Sequence, residues 1–149
     1  MKATEWLRLA RPKQWSKNLL LFAGLLFSGR FRDMPGLLRA GDISGAFLAP
    51  SRALLGFAIF VLLSSSVYAL NDLRDVEEDR LHPVKRQRPV ARGAVSRSEA
   101  GLLAVVWAAL GLLLGACLGW PFFMLALAYL ALSTVYSLWT KHQVILDVL

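Results

Sequence analysis

The segment Asn71-Asp72-Leu73-Arg74-Asp75-Val76-Glu77-Glu78-Asp79 stands at the end of a long apolar stretch. Five carboxylates fall within eight residues here, half of the ten acidic residues in the 149-residue chain. Acid beside hydrocarbon is costly, so such a cluster at a membrane boundary points to function. Oxygen ligands of this kind suit Mg²⁺, a hard cation that often carries substrate phosphates. If the preceding helix continues, at about 100° per residue, Asp75 lies roughly 60° and Asp79 roughly 20° from Asp72. The three aspartates then share one face. Asn71 precedes Asp75 by one helical turn and can join them. Glu77 points roughly the other way and Glu78 to one side. The spacing makes Asn71, Asp72, Asp75 and Asp79 the candidate Mg²⁺ ligands; under the mechanism expected for such a site, Asp72 and Asp75 are the catalytic residues. The competing reading is a solvated, charged juxtamembrane loop.

The elements that position this cluster are membrane helices. The chain is 56% hydrophobic, with a mean hydropathy of +0.51. That is too apolar for an ordinary soluble domain. The expected fold is all-α, a polytopic transmembrane bundle with helices at about 15–29, 53–70, 100–118 and 122–139. The apolar tail from Val144 to Leu149 reads as the start of a fifth helix. Ser64-Ser65-Ser66, near the acidic end of the second segment, allow close helix packing. Gly119-Trp120-Pro121 reads as a tight break, and 30–52 as a polar external loop without chemical signature. The basic N-terminus followed by an apolar run could be mistaken for a secretory signal, but the cleavage site is poor and a retained first helix is expected.

The net charge of +7 does not indicate nucleic acid, because the basic residues flank apolar segments. Thirteen of the seventeen Lys and Arg fall on one side if the spans alternate. The positive-inside rule therefore places the N-terminus and the Asp-rich loop 71–97 in the cytoplasm. The single cysteine excludes an intrachain disulfide and a Cys-rich metal site. No internal repeat, glycine-rich nucleotide fingerprint or low-complexity tract is visible.

Other polar groups gather on the same side. Lys17 enters the first segment, where it can bind phosphate or simply snorkel. Two prolines and a glycine make His82–Gly93 a defined loop, with Lys85 and Arg88 placed to grip phosphate oxygens or lipid headgroups. Tyr136 and Lys141, at the end of the fourth segment, are candidate substrate ligands or interfacial residues. His82 and His142 read as structural.

The pattern N-D-x-x-D-x-x-x-D at Asn71–Asp79 resembles the motif of the UbiA superfamily of intramembrane prenyltransferases. R-P-K-Q-W-S-K-N from Arg11, K-R-Q-R-P from Lys85 and Y-S-L-W-T-K-H-Q from Tyr136 are similar to its decaprenyl-phosphate phosphoribosyltransferase branch. The resemblance runs from Arg11 to the last residue. It implies a nine-helix fold with a second Asp-rich motif in the later half. That motif is absent from these residues, so the chain is expected to be the N-terminal half of a UbiA-like domain, inactive in isolation. The implied reaction is Mg²⁺-dependent transfer of 5-phosphoribose from phosphoribosyl diphosphate to polyprenyl (decaprenyl) phosphate, releasing diphosphate, for cell-envelope synthesis. The implied location is the bacterial plasma membrane. The partners are the bilayer, the lipid phosphate and the sugar diphosphate, with no nucleic acid and an open oligomeric state. Two alternatives stand beside it. One is transfer of an isoprenyl group from polyprenyl diphosphate to an aromatic acceptor in quinone biosynthesis; the other is a non-catalytic membrane fragment.

Overall fold

The computed structural model describes residues 2–139. Its elements are helical throughout, with no strand among the described residues. Helix α1 (Lys2–Leu9) leads into a 3-10 stretch (Pro12–Leu19) and α2 (Leu20–Phe27). Then come α3 (Arg30–Arg39), α4 (Ile43–Arg74), α5 (Val76–Leu81), a 3-10 turn (Lys85–Gln87), α6 (Arg97–Cys117) and α7 (Trp120–Trp139). Three helices are long and apolar enough to cross a membrane: α4, α6 and Trp120–Ser137 of α7.

Three of the four expected apolar segments are thus single helices. The first is not. Its polar half, Pro12–Leu19, winds as a 3-10 helix before the apolar Leu20–Phe27 turns α-helical. The start is set by Pro12, whose ring suits a first helical turn. The expected external loop is also replaced by helix. Residues Arg30–Arg39 form the amphipathic α3, and α4 begins at Ile43, ten residues before the expected start. Asp42 makes that start local, its carboxylate accepting the Gly45 N–H at 2.8 Å. Ser96 and Glu99 similarly start α6 with a reciprocal capping box. The break before α7 falls at Gly119, whose φ of 111° is open to glycine.

At about 1.5 Å per residue, the 32-residue α4 is about 48 Å long, against about 30 Å of hydrocarbon. Its ends therefore extend beyond the apolar layer, and Asn71–Arg74 occupy one of them. Helix α6 lies along α4 through small residues, with Ala100, Ala104 and Gly111 buried, while the buried Gly115 faces Ala126 and Phe122 of α7. On the α4 side, the Ser66 hydroxyl donates to Ala104 O at 2.8 Å. Leu9, Ala69, Val76, Val90, Val95, Ala100 and Ala104 form a core beneath the Asp-rich segment. Ile59, Leu63 and Ala126 form a second one further along. There Phe60 meets Phe122 and Tyr129 edge-on, joining α4 to α7. Helix α7 buries only 6% of its apolar window, so most of its surface needs lipid or other helices.

A tight contact between α4 and α6 gives a test. A Cβ on Gly111 would stand 2.7 Å from Leu63 Cδ2, and Leu63 is fully buried. A Cβ on Gly101 meets only Leu73 Cδ1, at an ordinary 3.8 Å. Gly111→Ala is expected to destabilise by about 1–3 kcal/mol through overpacking. Gly101→Ala is expected to be neutral or better, since alanine favours helix. Thermal unfolding of both variants in detergent checks the contrast.

Candidate functional site

The last turns of α4 build the site. Ser64, Ser65 and Ser66 are buried and turn their hydroxyls to backbone carbonyls. Ser65 Oγ lies 2.7 Å from Val61 O and 3.2 Å from Ala10 O, which ties the N-terminal segment to α4. Asn18 Nδ2 reaches Ser64 Oγ at 3.3 Å. Helix α4 ends at Arg74, and Asp75 adopts φ −89°, ψ 9°. The hydrogen bonds Asp75 N–H to Asn71 O and Asp79 N–H to Asp75 O keep α5 nearly in phase across this hinge. Asp72, Asp75 and Asp79 are 1%, 6% and 2% exposed, while Glu77 and Glu78 are exposed.

A buried carboxylate needs compensation. Here it comes from arginine. The Arg11 guanidinium donates to Asp72 Oδ1. Arg88 Nη1 stands 3.4 Å from the same oxygen and 2.6 Å from Asp79 Oδ2, so one guanidinium bridges two aspartates. Arg74 Nε donates to Asp75 Oδ1 at 3.0 Å. Arg74 Nη1 donates to Ser137 Oγ at 3.2 Å, and the Ser137 hydroxyl donates to Asn71 Oδ1. Arg74 Nη2 is buried with no partner among the described residues.

Arg88 is held by its loop. Val95 N–H bonds to Pro89 O at 3.1 Å, Arg80 Nε donates to Ala91 O at 3.2 Å, and Val90, Ala91 and Val95 are buried. A cavity of about 620 Å³ opens between α4 and α7, lined by Ser64, Tyr68, Asn71, Tyr129, Tyr136 and Ser137 among others. An apolar wall with a few convergent polar groups is the usual form of a ligand site.

The structure brings Asp72, Asp79 and Arg88 into one ionic cluster. Asn71 and Tyr136 line the adjoining cavity. Asp75 is buried beside them, with Arg74. Lys17 is exposed, Lys85 partly exposed, and neither pairs with a carboxylate among the described residues. Lys141 and the tail from Val144 to Leu149 lie outside the described residues. Arg11, Tyr68, Arg74 and Ser137 were not singled out by spacing. Arg11 lay inside the R-P-K-Q-W element, but its partner is 61 positions away.

Among the described residues no three His, Cys, Asp or Glu side chains converge closely enough to hold a metal ion. The donors are nonetheless hard oxygens, and Asp72 and Asp79 already converge on one cation, Arg88. In kind, the set suits a hard divalent cation.

Removing Arg88 leaves two buried carboxylates with less compensation. Arg88→Ala is expected to destabilise by about 2–4 kcal/mol, toward the range for a broken buried pair. Arg97 pairs with Glu77 in the open, both more than half exposed. Arg97→Ala is expected to change stability by less than about 1 kcal/mol. Thermal unfolding in detergent distinguishes the two.

Residues 36–149 match the UbiA prenyltransferase family. The chain is 38% identical over 149 residues to the decaprenyl-phosphate phosphoribosyltransferase of Mycolicibacterium smegmatis, covering 95% of this chain and 42% of that protein. It is 37% identical over 139 residues to the enzyme of the same name from Mycobacterium tuberculosis, covering 93% of this chain and 43% of that one. It is also 38% identical over 144 residues to the uncharacterized protein y4nM of Sinorhizobium fredii, covering 97% of this chain and 25% of that one. The chain thus spans less than half the length of these relatives. The match covers most of the chain, including the whole Asp-rich segment, and on that ground the chain belongs to the UbiA prenyltransferase family.

Proposed function

We propose that this chain forms part of a Mg²⁺-dependent integral membrane transferase. It moves 5-phosphoribose from phosphoribosyl diphosphate to a polyprenyl phosphate such as decaprenyl phosphate, serving cell-envelope precursor synthesis. One observation carries the reading: buried Asp72 and Asp79 converge on Arg88 beside the cavity that Asn71 lines. The names of the mycobacterial relatives favour the phosphoribosyl donor.

In this reaction a lipid-phosphate oxygen bonds to the anomeric carbon. The bond from that carbon to the diphosphate oxygen breaks, and the diphosphate leaves with the electron pair. Mg²⁺, held by Asp72, Asp75 and Asp79 with Asn71, would supply charge neutralisation for the leaving group. The chain's own residues supply the rest. Arg88 would place positive charge where negative charge grows, and Lys17, Lys85 and Lys141 are the further cations proposed to bind the substrate phosphates. Tyr136 stands on the cavity wall, 62% exposed, able to donate its phenol hydrogen to a phosphate oxygen. The long apolar α4 and α7 flank the cavity and offer the lipid tail a route from the bilayer. The charge asymmetry supports a cytoplasmic side of the plasma membrane for the Asp-rich segment and the N-terminus.

The family's description favours a second reading, in which an isoprenyl diphosphate is the donor and an aromatic compound the acceptor. The same site would serve it, because both reactions expel diphosphate from a carbon that becomes cationic.

The test is a transfer assay on membranes carrying the intact open reading frame, with labelled phosphoribosyl diphosphate, polyprenyl phosphate and Mg²⁺. A labelled lipid is expected, lost on chelation of Mg²⁺. Asp72→Ala is expected to lower turnover by about a hundredfold or more, the scale of lost transition-state charge stabilisation. A folded, fully active Asp72→Ala protein would overturn the assignment. Labelled lipid only with isoprenyl diphosphate and an aromatic acceptor would establish the second reading.

A further inference from the structure

Arg11 is the one non-glycine residue with positive φ among the described residues, at φ 53°, ψ 65°. A left-handed conformation is unfavourable for a side chain with a Cβ. The residue before a proline is constrained further, and Pro12 follows. Such strain persists only where the surroundings over-determine it. Here they do. Trp15 Nε1 donates to Ala10 O at 3.0 Å, and Ser65 Oγ meets the same carbonyl at 3.2 Å. Leu9 and Ala10 are buried against the core. The chain is clamped just before Arg11, and the left-handed turn carries the side chain to α4.

There the guanidinium does two things. It donates to the buried Asp72, and it stacks 4.9 Å from the centre of the Tyr68 ring, which lines the cavity. Guanidinium has five N–H donors in a rigid fork. Among the described residues its only hydrogen-bond partner is Asp72, and its side chain keeps 25% of its surface open. A partly open cation is thus held at a fixed angle by a carboxylate and a ring, with donors to spare. An Arg fork held in this way is suited to phosphate oxygens.

We propose that Arg11 is a substrate-binding residue that grips a phosphoryl oxygen of the diphosphate group, with Asp72 and Tyr68 holding its fork in place. The proposal rests on the reading that the site takes a diphosphate-bearing donor. It does not depend on whether that donor carries ribose phosphate or an isoprenyl chain.

The test uses the full-length protein in detergent, with inorganic pyrophosphate and Mn²⁺ as probes. Pyrophosphate binding is measured by calorimetry, and Mn²⁺ binding alone by electron paramagnetic resonance. Arg11→Lys keeps a positive charge against Asp72 but loses the planar fork. Arg11→Gln loses both, and thermal unfolding reports whether either variant is folded. Arg11→Lys is expected to weaken pyrophosphate binding by about tenfold, the lower range for a lost charged hydrogen bond, with Mn²⁺ affinity unchanged. Arg11→Gln is expected to weaken it further.

A folded Arg11→Lys protein that binds pyrophosphate like the parent would overturn the proposal. So would a parallel loss of Mn²⁺ affinity, which would make Arg11 a support for Asp72 and not a phosphate ligand. A parent protein that binds no pyrophosphate at all would overturn the proposed function, and this inference with it.

Discussion

Three carboxylates are buried at the end of a membrane-length helix, and the surrounding structure depends on how their charge is balanced. Each buried ion costs several kcal/mol unless it is paired and hydrogen-bonded. No single element supplies the balance. Arg11 comes from the turn between α1 and the 3-10 stretch, Arg74 from the last residue of α4, and Arg88 from the loop after α5. Two of these three elements have little else to hold them in place by local propensity. The N-terminal turn is strained, and the loop is anchored mainly by Val90, Val95 and its own backbone bonds. The exposed pairs nearby, Lys2 with Glu99 and Arg92 with Glu5, help orient α1 but contribute little energy. Burial of Leu9 does more to dock that helix.

The membrane sets the second constraint. An ionic cluster in hydrocarbon would be prohibitive, while one fully in water would lose its electrostatic strength. Helix α4 resolves this by length. It overshoots the apolar layer, so Asp72 sits on a spanning helix yet belongs to its polar end, enclosed by protein. The serine triplet just below serves the same end. Small hydroxyls bring α6 and the Ala10 carbonyl close without leaving polar atoms unsatisfied. A bulkier residue at Ser65 would push away the segment that delivers Arg11, and one at Ser66 would push away α6.

The parts of the site that are local in sequence could be read from it. The helical phase of Asp72, Asp75 and Asp79 separates them from Glu77 and Glu78, and burial in the structure follows that division. Pro83, Pro89 and Gly93 mark a loop, and Arg88 is found there. The start of α6 was legible too, since Ser96-x-x-Glu99 is a capping-box pattern, but hydropathy alone placed it three residues late. Polarity misled at 30–52, where arginines and glycines read as loop although the periodic apolar residues of Arg30–Arg39 support an interfacial helix. Long-range pairing was not legible. Nothing local tells Arg11 from Lys13 or Lys17 as a cation ahead of the first apolar segment. The distinction arises only when Ser65 and Trp15 fix the Ala10 carbonyl and the next residue turns left-handed. Lys17, without such a clamp, stays in the open.

The resting charge of the site constrains how the proposed reaction can begin. Among the described residues three aspartates face three arginines, and their charges offset one another. A diphosphate entering alone would add about two or three negative charges to a poorly hydrated place, and a divalent cation entering alone would add two positive ones. Either imbalance is expensive where the dielectric is low. Entering together, they nearly cancel. Asp72 and Asp79 would hold the metal, and the spare guanidinium donors beside them would meet phosphate oxygens. Under the proposed function the arginines therefore do more than offset carboxylate charge. They keep Asp72 and Asp79 buried, and they stand where the anion would arrive. Metal and diphosphate should then strengthen each other's binding, because each offsets the charge that the other brings to carboxylates and guanidiniums already in balance.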